Sequence, residues 1–235
     1  MALPKLNESP NYSTTIPSTG QKVTFRPYLV KEEKVLMIAF ETGDQNQSLQ
    51  AICDTLEACI SEEIDVKNLC TFDIEYLFTQ IRSKSVGETA TITLPCSECD
   101  KRTEVGVSLQ DINIDVGDVE NTIQLTDSIS IQMKYPSYAQ VLSLDLANAN
   151  DTEVGFNMIA KCISAILTEE ERIDTKDVKE DEVMSFIEQM TADQFKDVTQ
   201  FLQDIPTLNQ DVEYICNSCG HENKTRLKGI NDFLS

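Results

Sequence analysis

Apolar positions recur along this chain in two periods, and the points where the period changes divide it into segments. Tyr12 to Ile16 and Lys22 to Tyr28 flank Pro17-Ser18-Thr19-Gly20, so two short alternating runs around a Pro/Gly turn predict a β-hairpin. From Val30 to Glu41 the period lengthens. The clustering of Val35, Leu36, Ile38, Ala39 and Phe40 predicts a buried helix, with Gly43 placed to end it. Asp44 is a fitting N-cap for a second helix, in which Leu49, Ile52, Cys53, Leu56 and Ile60 recur at three and four residues. A third helix is predicted over 72–84, with Ile74, Leu77, Phe78 and Ile81 on one stripe and Gly87 just beyond its end. The polar first ten residues, with Pro4 and Pro10, read as an extended arm.

After Gly87 the pattern turns to β. Residues 88–94 and 103–109 alternate around Cys96-Ser97-Glu98-Cys99, and a hairpin over 122–125 and 129–135 turns at Asp127-Ser128. The stretch 138–167 reads as helical, broken near Asn150-Asp151, and 168–182 as an acidic, solvated connection. Helices are predicted over 183–190 and 192–202, with Thr191 as the cap between them. Short β runs at 212–215 and 224–228 then flank Cys216-Asn217-Ser218-Cys219.

The two Cys-x-x-Cys units share one local setting: a β run enters, a polar turn follows, and the chain returns as a strand. Two residues between cysteines let the backbone curl so that both sulfurs face one metal. Cys96, Cys99, Cys216 and Cys219 together therefore predict a closed four-thiolate site for one structural Zn²⁺, with no open position for catalysis. Because 116 residues separate Cys99 from Cys216, a shared site requires an inserted subdomain whose ends lie close together. A redox dithiol reading lacks the helix that normally follows such a pair, and haem attachment fails because Gly220 separates Cys219 from His221. His221, the only histidine, would have to replace a thiolate to be a ligand. Cys53, Cys59, Cys70 and Cys162 lie on or beside apolar stripes and read as small core residues.

Composition narrows the function. Forty acidic against nineteen basic residues give a net charge of −21, a field that repels a phosphate backbone and disfavours nucleic-acid binding by the surface as a whole. A local basic patch of Lys101, Arg102, Lys224, Arg226 and Lys228 could form if the two knuckles meet, which leaves a nucleic-acid-binding zinc-ribbon accessory factor as the competing reading. The other reading of those charges is that they balance Glu98, Asp100, Glu222 and Asp232. No apolar run approaches the ~20 residues of a membrane helix, and the N-terminus has no secretory h-region, so a cytosolic protein with reduced cysteines is expected. No Gly-rich phosphate loop, nucleophile elbow or His-Glu-x-x-His occurs, and a non-enzymatic protein is expected.

Several stretches resemble a known family. Met1-Ala-Leu-Pro-Lys-Leu-Asn7, Ile16-Pro-Ser-Thr-Gly-Gln-Lys22, Phe25-Arg-Pro-Tyr-Leu-Val-Lys-Glu-Glu-Lys34 and Thr71-Phe-Asp-Ile-Glu-Tyr-Leu77, running into Gln80-Ile-Arg-Ser-Lys-Ser-Val-Gly-Glu88, are similar to the baseplate hub assembly proteins of T-even-type tailed phages. The pair Cys96 and Cys99 continues that pattern, and the resemblance is clearest over residues 1–110. It implies a viral tail assembly protein that acts as a hub component or assembly chaperone. The implied partners are other baseplate hub proteins or the tape-measure protein, met in the host cytoplasm during virion assembly or retained in the tail. Self-association is compatible with such a role, and the family supplies no catalytic residues.

The expected architecture is α+β. Residues 1–87 would form a hairpin and helical region, 88–135 with 206–235 a discontinuous zinc-ribbon-like β unit, and 136–205 an acidic helical insertion.

Overall fold

The computed structural model describes residues 10–114, 116, 121–143 and 151–234. The extended arm expected at the N-terminus and the helix break expected at Asn150 lie outside the described residues, Pro10 and Asp151 excepted. The fold is α+β, and the chain divides into two compact units: Met1–Val66 with Phe72–Asp115 and Thr207–Ser235, and Lys67–Thr71 with Val116–Pro206.

In the first unit, β1 (Tyr12–Thr15) and β2 (Lys22–Phe25) pair antiparallel with Tyr12 opposite Phe25. The turn closes through Gly20, at φ +70°, whose N–H donates to the Ile16 carbonyl at 2.9 Å. Three helices follow: α1 (Val30–Glu41), α2 (Gln45–Cys59) and α3 (Thr71–Val86). Asp44 caps α2 as its sequence position predicts, its Oδ1 accepting from the N–H groups of Asn46 and Gln47 at 2.8 and 3.2 Å. Leu56, Ile74, Leu77, Phe78 and Ile81 of α2 and α3 are buried, each such side chain contributing about 1.5–3 kcal/mol.

Helix α1 departs from the buried helix expected. Only Leu36, Ala39 and Glu32 are buried, while Val30, Val35, Met37 and Ile38 face solvent. Apolar residues here occupy more than one helical face, so periodicity alone does not say which face meets the core. Glu32 is buried because its carboxylate is fully used: Oε1 accepts from Arg26 Nη2 at 2.9 Å, and Oε2 accepts from the Leu29 N–H at 2.8 Å.

Two hairpins complete this unit. β3 (Thr89–Pro95) pairs with β4 (Arg102–Ser108), and β10 (Leu208–Ile215) pairs with β11 (Glu222–Lys228). A two-residue strand, β5 (Asn113–Ile114), adds to the free edge of β10. Ala90, Ile92, Val107 and Leu109 from one hairpin and Leu208, Val212 and Leu227 from the other form a single apolar cluster. It is closed by Phe233 of the short helix α8 (Asn231–Leu234).

The second unit holds one antiparallel sheet in chain order: β6 (Thr122–Gln124), β7 (Ile129–Met133), β8 (Ile163–Thr168) and β9 (Arg172–Asp174). Its helices are α4 (Tyr138–Leu142), α5 (Asp151–Cys162), α6 (Glu180–Glu188) and α7 (Ala192–Gln203). Thr191 caps α7 as expected, accepting from the Gln194 N–H at 3.3 Å. The helix expected to run to Leu167 instead ends at Cys162, and the acidic connection expected over 168–182 contains β9. A short apolar run such as Ile163–Leu167 fits either period, and the decision falls to pairing: β8 sits between β7 and β9, with Ile166 opposite both Ile131 and Ile173.

Candidate metal centre

In the first unit, one Cys-x-x-Cys pair forms the turn of the β3–β4 hairpin and the other the turn of the β10–β11 hairpin, and the two turns have the same internal bonding. The Cys96 N–H donates to the Lys101 carbonyl at 3.0 Å and the Cys216 N–H to the His221 carbonyl at 2.9 Å. Asp100 N–H returns to the Cys96 carbonyl and Gly220 N–H to the Cys216 carbonyl. Both Asp100 (φ +56°) and Gly220 (φ +74°) adopt the left-handed conformation that completes the turn. In each turn a backbone N–H also points at the first sulfur, from Glu98 to Cys96 Sγ at 3.5 Å and from Ser218 to Cys216 Sγ at 3.4 Å. Every second-turn position equals its first-turn counterpart plus 120 (96 and 216, 99 and 219), so the hairpins form a structurally matched pair.

The turns converge. All four sulfurs lie within 4.8 Å of one another, with Cys96 Sγ 3.7 Å from Cys219 Sγ and Cys99 Sγ 3.7 Å from Cys216 Sγ. A tetrahedron of sulfurs about 2.3 Å from a central ion has edges of about 3.8 Å, so this set fits a four-coordinate metal. The spacing is far beyond the roughly 2.05 Å of a disulfide, and no disulfide joins any of the eight cysteines. Electrostatics point the same way. The N–H groups of Cys219 and Ser218 pull the Cys216 thiol down to about 6. The His221 N–H favours the Cys219 thiolate, but the sulfurs of Cys99, Cys216 and Cys96 outweigh it and push that thiol up to about 12. Four clustered sulfurs cannot all ionise unless a cation shares the site.

Side chains outside the cysteines tie the two turns together, and sequence reasoning did not identify them. Asn223 is buried, and its Nδ2 donates to the His221 carbonyl at 3.0 Å and lies 3.7 Å from Cys96 Sγ. Its Oδ1 accepts from the Ser97 N–H and hydroxyl. Thr103, also buried, does the reciprocal job, its Oγ1 accepting from the Asn217 N–H at 3.4 Å. Tyr214 Oη donates to the carbonyl of Pro95, immediately before Cys96. The available signal was positional: Thr103 and Asn223 each stand four residues after the second cysteine of their pair.

The other sequence candidates fall elsewhere. Cys53, Cys59 and Cys162 are buried and Cys70 is half-buried. Burial pushes the Cys59 thiol to about 11 and the Cys162 thiol to about 12, which suits packing rather than ligation. His221 is exposed, and it is its backbone carbonyl that the Cys216 N–H and Asn223 Nδ2 bind. On β11, Lys224 pairs with Glu213 at 2.6 Å, and Arg226 lies 3.8 Å from Asp211 with Nη2 donating to Asn209 Oδ1. Both cations are matched by residues of the neighbouring strand β10. Lys101 and Arg102 are exposed.

Comparison with curated proteins gives no match, and comparison with solved structures gives none either. The family described as "T4 bacteriophage base plate protein" matches residues 9–235, which take in both cysteine hairpins and all four clustered cysteines. Nearly the whole chain is covered, and this protein belongs to the T4 bacteriophage base plate protein family.

Proposed function

We propose that this chain is a non-enzymatic component or assembly factor of the baseplate hub, with Cys96, Cys99, Cys216 and Cys219 holding one structural Zn²⁺. The observation that carries the metal half is the matched pair of cysteine turns, distant in sequence, whose sulfurs close at the edge length of a tetrahedral thiolate site. Four sulfurs fill the coordination shell. Such an ion would hold geometry and leave no position for a substrate, adding on the order of 10 kcal/mol of apparent folding energy. In this reading the ion pins the two ends of the long segment between the turns, so that the chain from Val116 to Pro206 behaves as an insertion between the two cysteine hairpins.

The family match supports contact with other baseplate proteins. Hub or tape-measure proteins are the proposed partners, met in the host cytoplasm while the tail is built.

Two measurements test this. Metal analysis should find one zinc per chain in wild-type protein and none in Cys216→Ser. Absence of zinc from reduced, metal-replete protein would overturn the metal assignment. Co-expression with candidate hub and tape-measure proteins should yield a stable complex. Retention on nucleic acid, lost at high salt and with no tail-protein complex, would overturn the hub assignment.

A further inference from the structure

Among the described residues, the largest concentration of exposed apolar side chains lies on and beside α1, far in sequence from the cysteine site. Leu29, Val30, Val35, Met37, Ile38 and Phe40 are six of the nine large exposed apolar residues among those described, and all fall within one short stretch. Val30 is 78 % exposed, Met37 57 % and Ile38 55 %. Scattered exposed apolar residues need no explanation, but six on and beside one helix mark a contact surface.

The charges on this helix indicate what contacts it. In a chain of net charge −21, the solvent side of α1 carries Lys31, Lys34, Glu33 and Glu41, which cancel. This face is therefore a local gap in the repulsion that two acidic copies would otherwise feel. Lys34 and Glu41 are seven residues apart, close to two full turns, so both lie on the face that carries Val30 and Met37. Among the described residues neither belongs to an ion pair.

Run antiparallel to its own copy about a two-fold axis between Met37 and Ile38, the helix sets Lys34 against Glu41 twice and Met37 against Ile38 twice. That is the self-complementarity an isologous interface requires.

We propose that the exposed face of α1 is a homodimer interface, in which two copies pack their α1 helices antiparallel with Lys34 of each against Glu41 of the other. A single helix face buries little area, so the dimer forms in the micromolar range.

The test is analytical ultracentrifugation of the full chain, with circular dichroism confirming that each variant is folded. Wild-type mass should rise from monomer toward dimer between about 1 and 100 µM. Lys34→Glu or Glu41→Lys alone places like charges together at two symmetric contacts and should weaken the dimer roughly tenfold. The double variant K34E/E41K restores the pairing and should recover to within about threefold of wild type. Met37→Glu should leave only monomer.

A wild-type chain that stays monomeric at about 100 µM overturns the proposal. So does a dimer indifferent to Met37→Glu, or a double variant no better than the singles. A monomeric chain whose capture by another baseplate protein is lost in Met37→Glu assigns the face to that protein and also overturns the homodimer.

Discussion

The side chain of Asn223 follows the second cysteine pair in sequence but bonds to the turn of the first, its Oδ1 accepting from the Ser97 N–H and from the Ser97 hydroxyl, each at 2.9 Å. With Nδ2 on the His221 carbonyl and close to Cys96 Sγ, one buried amide spans both turns. Groups that orient ligands in this way typically contribute about 10–100-fold to metal affinity. Asn223→Ala should therefore weaken metal binding by about that factor, read with added Zn²⁺ as the probe in competition with a chromophoric chelator. Thr103→Val should have a smaller effect, because the bond it removes is long at 3.4 Å. An affinity within about twofold of wild type in Asn223→Ala would show that the cysteines alone organise the site.

The two turns use different residues for the same left-handed position, Asp100 in one and Gly220 in the other. No atom lies within 4 Å of where a Cβ on Gly220 would sit, so substitution there costs backbone strain alone. Gly220→Val should destabilise by about 1–2 kcal/mol, and Gly220→Asn by clearly less, since Asn tolerates this conformation. Denaturant unfolding at fixed zinc concentration separates the two. Equal losses would place the cost in packing.

Glu32 provides a pH-dependent contribution in the first unit. Burial raises its pKa, but the bonds from the Arg26 guanidinium, the Leu29 N–H and Lys31 outweigh that and leave it below the ordinary carboxylate range. A carboxyl with a depressed folded pKa stabilises fully above its unfolded pKa of about 4.3 and loses that contribution as pH falls through the lower folded value. Glu32→Gln should thus cost about 1–3 kcal/mol at pH 7, with the gap to wild type narrowing below about pH 4. Stability of both proteins across that range, by urea unfolding, checks the sign. A gap that widens on acidification would rule out the ionised carboxylate as its source.

Asp73 anchors the N-terminal hairpin. It is fully buried on α3, and its carboxylate oxygens accept from the Ser18 N–H at 2.9 Å and the Ser18 hydroxyl at 2.5 Å. Asp73→Ala would leave the Ser18 N–H without that acceptor and should destabilise by about 2–3 kcal/mol, with the loss concentrated in the hairpin. Hydrogen exchange of the β1 and β2 amides should speed up more than that of α2. Uniform acceleration would mean that Asp73 supports the whole unit.

The parts of this structure that were legible in advance share one property: their causes lie within a few residues. The Pro17–Gly20 turn, the Asp44 and Thr191 caps, the hairpins around each cysteine pair and the ligand-like spacing within Cys96–Cys99 and Cys216–Cys219 follow from local conformational preference. Helix α1 and strand β8 show where that ended. The apolar residues of α1 cover more than one face, so only the packing of Leu36 and Ala39 says which side is inside. Residues 163–167 suit either period, and strand pairing on both edges decides for β.

What the sequence by itself determined was the set of local elements, the chemistry of the four thiols and, through its pattern over residues 9–235, the family. Only the tertiary structure decided that the two cysteine turns meet, that Asn223 and Thr103 link them, and that Asp73 receives Ser18. These contacts join segments from 55 to 126 residues apart. Their existence depends on which surfaces the whole chain buries together, and no local spacing encodes that choice.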